Sequence, residues 1–412
     1  MLEDAIDVKK QLNELEGLAK LINPNFVFSD DWLKRVEKIE DCAGFLALSC
    51  KVLKTEIDQG FYDKAHHEQT LSEQNYLSQQ LSCLLAELFG EIYTERLPLI
   101  GNSGFLGDFS IERIKEITQE IIDKGYYIWP EIMSHEIVER LSDELKDKKY
   151  KNRMTGKEIT GKQATELRDK LKGTWWVEND HDLPAKEALQ NVALDPAILA
   201  VAQNFLGTVP IHVQTNSWWT FPPPASANTQ DRLARLENKN AQRFHQDQEF
   251  ITFIKVFIYL TDVDENSGPH VYVEGSANDY EDKLPTKISS TRRTDNDIYK
   301  AFGKDRVKSI TGRKGQITFV NTRGFHRGSS VKEGNRLLLQ LEYASSLYFN
   351  PVDSFDVTCL STENKLLMRE IPRIFMNYRY PEKIDRKSSS GLLRQARQKL
   401  SYLRGRIEEL IT

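Results

Sequence analysis

Apolar positions along the chain follow two periods, and the changeover divides it. From residue 1 to about 97 they recur at 3.6-residue spacing, at Leu12, Leu15, Leu18 and Ile22 and again at Leu77, Leu81, Leu84, Leu85 and Leu88, which predicts a helical N-terminal region. His66 and His67 fall in a polar stretch of it; adjacent histidines point different ways on a helix, so they read as surface residues. The run Gly101 to Gly107 breaks the pattern and reads as a linker, because no strand precedes its glycines as a phosphate loop requires. Ser110 then starts a helix that runs to Lys124, with Gly125 as its C-cap. A short strand over Tyr126–Trp129 ends at Pro130, and Ser134 N-caps a helix to about Lys146. A further helix runs from Asp195 to Phe205 and stops at Gly207.

After Gly207 the period becomes 2. Ile211 to Phe221 reads as a strand with His212, Gln214, Asn216 and Trp218 on one face. Residues 225–241 form a polar, partly helical insertion. Phe250 to Leu260 is apolar on both faces and predicts a strand buried on both, as in a sandwich or barrel. Asn266 to Pro269 is a turn, His270 to Val273 a short strand, and Gln316–Val320 and Arg336–Tyr343 are the last clear strands. Short strands punctuated by Gly and Pro turns and flanked by helices predict an α+β chain built on a β-barrel or double-sheet jelly roll. Leu393, Ala396, Leu400, Leu403, Ile407 and Leu410 are spaced 3, 4, 3, 4 and 3 apart, which predicts a C-terminal amphipathic helix. Such a helix docks onto the N-terminal helices, self-associates into a homo-oligomer or meets an anionic membrane surface. The divisions expected are 1–105 helical, 106–381 the β domain and 382–412 the C-terminal helix.

Composition narrows the function. The 412 residues allow one large domain with appendages, or two domains, and at a formal charge of -5 the molecule as a whole carries no basic excess to steer it to nucleic acid. Cys42, Cys50, Cys83 and Cys359 are scattered without a CxxC pair, as for buried thiols in a reducing compartment. The chain starts without an apolar leader, and no apolar run approaches the roughly 20 residues of a transmembrane helix, so it is expected to be cytoplasmic. Residues 279–314 carry ten Lys or Arg against six Asp or Glu. That excess suggests a lid facing an anionic substrate group, or a solvated loop.

The chemistry centres on His245 and Asp247, two residues apart and therefore on one face of an extended backbone, immediately before the long buried strand. His326 lies 79 residues beyond Asp247, far enough for strands to fold back, and Arg336 follows 10 residues later. Two imidazoles and one carboxylate with three positions left open suit a non-haem Fe(II) oxygenase. Arg336, Leu338 and Gln340 share a face, and an arginine pointing inward needs a carboxylate to satisfy it. His181, among acidic neighbours without regular spacing, reads as part of a turn; His135 reads as solvated. His212 and His270 read as pocket-lining or hydrogen-bonded core histidines.

These motifs resemble the phytanoyl-CoA dioxygenase family of Fe(II)- and 2-oxoglutarate-dependent oxygenases. The similarity covers about Gly125 to Tyr343: Gly125–Pro130 with Ser134 and Glu136; Phe244-His245-Gln246-Asp247; Ile258 to Val263 leading to Ser267-Gly268-Pro269; and Gly315, Gln316 and Phe319 through His326, Gly328 and Ser329 to Arg336. The resemblance implies a double-stranded β-helix of cupin-like form, with iron on His245, Asp247 and His326. It also implies 2-oxoglutarate as cosubstrate with its C5 carboxylate on Arg336, and O2 as oxidant. Gln214, Asn216 and Ser329 have the chemistry for further 2-oxoglutarate contacts. The activity implied is hydroxylation of a C–H bond in a small-molecule or carrier-linked substrate. A cupin-like metal isomerase or hydrolase, and a non-catalytic binding protein on the same barrel, are the alternatives. The family's Pro-Gly-Ser-His segment is Glu274-Gly275-Ser276-Ala277 here, without the final histidine.

Overall fold

The computed structural model describes residues 2–59, 78–99, 101–102, 105–178, 180–224, 241–278, 292–349 and 354–380. The expected insertion over 225–240, the C-terminal helix over 382–412, and Leu77, His66 and His67 lie outside the described residues.

The N-terminal region is helical as its periodicity predicts: α1 Leu2–Ile22, α2 Asp30–Val36, α3 Cys42–Gln59 and α4 Gln79–Ile92. Ser29 and Ser78 cap α2 and α4 by accepting the backbone N–H groups of Trp32 and Leu81. The apolar faces of these helices bury Leu15, Trp32, Phe45, Leu84 and Phe89 in one cluster with Ile251, Tyr348 and Phe349, so the bundle shares its core with the β region. A buried ion pair of 3.2 Å, Arg373 Nη1 to Glu56 Oε2, joins α3 to the segment after the last long strand.

Helices α5 (Ile111–Lys124) and α6 (His135–Lys146) start at Ser110 and Ser134 as read from sequence. Gly125 closes α5 at φ 99°, and a Cβ there would lie 2.2 Å from the Tyr272 ring, so both conformation and space demand glycine.

The principal strands are β1 Tyr126–Ile128, β2 Lys149–Asn152, β3 Glu158–Thr160, β4 Gly173–Val177, β5 Ile211–Phe221, β6 Phe253–Tyr259, β7 His270–Val273, β8 Val307–Ile310, β9 Ile317–Val320, β10 His326–Gly328 and β11 Arg336–Ala344. They form an eight-stranded sheet in the order β1-β9-β6-β11-β5-β4-β2-β3 and a three-stranded sheet β8-β7-β10, antiparallel throughout. One face of the large sheet, with Ile254, Val256, Ile258, Leu337, Leu339, Leu341 and Tyr343, packs on Ile114, Ile117, Ile198 and Val201 of the helices. The alternate residues Trp218, Phe257, Leu338 and Gln340 line a cavity on the other face. That is the alternation read from Arg336–Tyr343.

Three expectations are corrected. Strand β6 starts at Phe253, not Phe250, because Phe250 and Ile251 leave the sheet to fill two separate apolar clusters. His212 does not share the face of Gln214: the β5–β11 register slips between Gln214↔Glu342 and His212↔Tyr343, a bulge that turns the imidazole in among Tyr343, Phe355 and Tyr378. Of residues 279–314, those from 292 onward are not a solvated loop. A helix over Asp295–Phe302 is capped reciprocally by Thr294 and Asp297 and buries Ile298 and Phe302 against Phe244 and Phe325, and β8 pairs residue for residue with β7.

Candidate metal centre

His245 and His326 face one another across an antiparallel bridge in which each backbone N–H donates to the other's carbonyl, at 3.0 and 2.9 Å. Two further bonds extend the pairing: Asp247 N–H donates to the Thr322 carbonyl at 2.9 Å, and Gln246 Nε2 to the Arg323 carbonyl at 2.7 Å. His245 and His326, 81 apart in sequence, are thus fixed by main-chain geometry. The imidazole centroids stand 4.3 Å apart.

One ligand atom from each of His245, Asp247 and His326 lies within 4.8 Å of the other two. His245 Nε2 is 3.7 Å from Asp247 Oδ1, and His326 Nε2 is 3.4 Å from Asp247 Oδ2. Each Nδ1 sits 2.9 Å from a carbonyl two residues back, Arg243 for His245 and Gly324 for His326. A nitrogen facing a carbonyl must carry the proton, which leaves both Nε2 lone pairs turned toward Asp247. Burial and the neighbouring His326 push His245 down to about 3, so it is neutral at physiological pH. Burial would raise the Asp247 carboxyl, but Lys255 and His326 together hold it well below the usual range. Two imidazoles with Nε2 turned inward and one carboxylate are the donor set a divalent ion needs.

The fourth group around Asp247 was not read from sequence. Lys255 Nζ lies 2.9 Å from Asp247 Oδ2, 2.7 Å from Glu249 Oε2 and 3.7 Å from Glu342 Oε2, and Lys255 faces Glu342 directly across β6 and β11. Burial opposes the charge on Lys255, yet Asp247, Glu249 and Glu342 raise its pKa well above the ordinary value. Glu342 is pushed up by burial and by Glu249. The available signal was a lone lysine inside an apolar strand.

Arg336 opens β11 and is buried. Its Nη1 donates to the Gly268 carbonyl, Nη2 lies 3.5 Å from Thr220 Oγ1, Nε has no partner, and among the described residues no carboxylate pairs with it. Burial lowers its pKa accordingly. A Cβ at Gly328 would stand 3.3 Å from Arg336 Nη2, so glycine leaves the guanidinium its room. An uncompensated buried guanidinium on the wall of the cavity that holds the His–Asp–His group is a receptor for a carboxylate.

The cavity measures ≈ 310 Å³ and is lined by all three ligand residues together with Arg336, Gln214, Asn216 and His270. Gln214 is engaged by Gln340 Nε2 at 2.9 Å and by Asp180 Oδ2 at 3.4 Å. Ser329 does not line the cavity; its N–H bonds the Pro269 carbonyl. His270 does line it, with Nε2 unpartnered and its ring 5.4 Å from that of His326. His181 and His135 stand apart from the cavity. Arg153, Trp176 and Arg292 also line it and were not singled out from sequence.

No helix among the described residues is long and apolar enough to cross a membrane. No curated protein matches the chain. Among solved structures it is similar to HygX from Streptomyces hygroscopicus with nickel, 2-oxoglutarate and hygromycin B bound, at 16% identity and TM-score 0.39 over 60% of this chain and 92% of that one. It is also similar to the non-heme alpha ketoglutarate dependent carbocyclase SnoK from nogalamycin biosynthesis (15%, TM-score 0.38, 56% and 83%) and to EctD from S. alaskensis with bound Fe (13%, TM-score 0.35, 55% and 74%). Residues 122–334, more than half of the sequence, match the family model described as Phytanoyl-CoA dioxygenase (PhyH), and the chain belongs to that family.

Proposed function

We propose that the protein is an Fe(II)- and 2-oxoglutarate-dependent dioxygenase that hydroxylates a C–H bond of a small-molecule or carrier-linked substrate. The observation that carries this reading is one cavity holding both a His–Asp–His ligand group and a buried guanidinium without a carboxylate. When bound, iron and 2-oxoglutarate supply the chemistry: with O2, 2-oxoglutarate becomes succinate and CO2 while the substrate C–H becomes C–OH.

The chain's own residues prepare that chemistry. His245 and His326 present their Nε2 atoms, oriented by the carbonyls of Arg243 and Gly324 at Nδ1. Asp247 supplies the anionic ligand, with Lys255 fixing its Oδ2. Arg336 binds the C5 carboxylate of the cosubstrate, and Asn216 offers a further polar contact. Trp218, Phe257 and Leu338 keep that end of the cavity apolar and limit water. The two antiparallel sheets are read as a double-stranded β-helix within a 106–381 oxygenase domain, flanked by a 1–105 helical region and a 382–412 tail, in a cytoplasmic enzyme.

The test is anaerobic addition of Fe(II) and 2-oxoglutarate to the purified full-length chain. A visible charge-transfer band is expected, lost in His245→Ala and requiring far more 2-oxoglutarate in Arg336→Ala. No band in the parent protein would end this reading.

A further inference from the structure

Four cationic side chains line the cavity: Arg153, Lys255, Arg292 and Arg336. Two have counter-charges. Lys255 is enclosed by Asp247, Glu249 and Glu342, and Arg336 is matched by the cosubstrate on the reading above. The charge of a ferrous ion would be balanced by Asp247 and the C1 carboxylate of 2-oxoglutarate, which leaves Glu249 and Glu342 to Lys255 and the C5 carboxylate to Arg336. Arg153 and Arg292 remain, and among the described residues no carboxylate pairs with either.

Both guanidinium groups are placed by packing. Arg153 Cζ lies 4.3 Å over the Trp176 ring, which itself packs against Trp218 at 4.5 Å with the rings tilted by 31°. An arginine laid on an indole face keeps its N–H donors for an oxyanion. Arg292 is anchored beside the ligand-bearing segment, because the next residue, Arg293, forms an antiparallel bridge with Phe244 and donates its N–H to the Phe244 carbonyl at 2.8 Å. Among the described residues, Arg292 Nη1 is buried without a hydrogen-bond partner. The acids nearest in influence are Asp180 for Arg153 and the proposed metal ligand Asp247 for Arg292. Burial lowers the pKa of each arginine, as it does for a cation still lacking its partner.

We propose that Arg153 and Arg292 form an oxyanion subsite for the primary substrate, which is a small molecule or carrier arm bearing a phosphate, sulfate or carboxylate group. The anion is held at the Trp176 wall, and the substrate carbon to be oxidised reaches from there toward His245 and Asp247. A cavity of ≈ 310 Å³ that also takes 2-oxoglutarate admits only a small molecule or the reacting end of a longer one. The proposal rests on the oxygenase reading and is separable from it.

The experiment titrates phenyl phosphate, phenyl sulfate, benzoate and phenol into the full-length chain, with and without anaerobic Fe(II) and 2-oxoglutarate. Tryptophan fluorescence reports binding and the visible band reports the loaded metal site. At least one of the three anions is expected to bind about tenfold or more tightly than phenol, and the choice among them identifies the group. Arg153→Gln with Arg292→Gln should weaken that anion by about tenfold or more, and the Lys pair should retain part of the affinity. Equal binding of phenol and all three anions, or unchanged anion binding in the Gln pair, would overturn the subsite. A missing band with Gln-sensitive anion binding would instead retain the subsite and remove the iron.

Discussion

Lys255 Nζ stands 2.9 Å from Asp247 Oδ2, so the carboxylate that completes the ligand group is held from behind by a buried ammonium. The contact draws Oδ2 toward β6 and leaves Oδ1, 3.7 Å from His245 Nε2, as the atom turned to that ring. Lys255→Met would leave Asp247, Glu249 and Glu342 without their shared cation. Partners that orient a ligand are worth about 10–100-fold in metal affinity, and removing one member of a buried ion pair costs about 3–5 kcal/mol. The variant should therefore bind Ni(II) about 10–100-fold more weakly by titration and unfold at lower urea. Adding Glu249→Gln should restore part of the stability and none of the metal affinity. Wild-type Ni(II) affinity in Lys255→Met would mean that the ammonium only neutralises charge.

Arg336 gives a prediction about the cosubstrate that needs no turnover. A ligand present at 100 times its Kd stabilises the folded state by about 2.7 kcal/mol. Saturating 2-oxoglutarate with Ni(II) should raise the thermal midpoint of the parent protein beyond the effect of Ni(II) alone. In Arg336→Met the Ni(II) increment should survive and the 2-oxoglutarate increment should vanish. An undiminished 2-oxoglutarate increment in the variant would place the C5 carboxylate elsewhere, with His270 the next polar group to test.

What the sequence made legible, and what it hid, follows from how each signal is encoded. Helices α5 and α6 were readable to the residue because Ser110, Gly125 and Ser134 are local stop and start signals whose partners lie within a few positions. The approach of His245, Asp247 and His326 to one another was readable from donor type together with the strands that let the chain fold back between them. The inward face of β11 was readable because Arg336 and Gln340 alternate with leucines. Lys255 was not, because its meaning lies in the register that sets it opposite Glu342, and register is a property of the sheet. His212 was assigned to the wrong face because one bulge shifts all that precedes it.

His212 supplies a pH dependence. Burial pushes its pKa from the ordinary 6.5 down to about 3, while Tyr378 Oη at 2.7 Å and Thr215 Oγ1 at 2.9 Å bond the neutral ring. The folded value lies below the unfolded one, so between those limits the unfolded chain binds a proton that the folded chain refuses. The stability this group contributes is complete above about pH 6.5 and falls as the solution is acidified toward about 3, with a limiting slope of about 1.4 kcal/mol per pH unit. His212→Phe keeps an aromatic ring among Tyr343, Phe355 and Tyr378 but cannot titrate. Urea unfolding of the metal-free chain at several pH values between these limits should show a shallower acid slope in the variant, by up to one proton. Parallel curves for the two proteins would show that His212 is not the group responsible.

The N-terminal helices give the last prediction, on where the oxygenase unit ends. Ile251, Tyr348 and Phe349 are 0, 2 and 1% exposed because α1 to α4 cover them, and Ile251 lies four residues beyond Asp247. The same helices hold Arg373 through Glu56, and Arg323, in the loop that leads to His326, through Ser82 Oγ at 3.1 Å from Nη2. A fragment of residues 106–381 would expose three large side chains, each worth about 1.5–3 kcal/mol when buried, and would strand the Arg373 charge. It should be recovered mainly as aggregate, or as a monomer with a much lower thermal midpoint and weakened Ni(II) binding. Co-expression with residues 1–105 as a separate chain should restore both. A soluble 106–381 fragment with the parent's midpoint and Ni(II) affinity would instead show that the oxygenase domain keeps its fold and site without the helices that cover it.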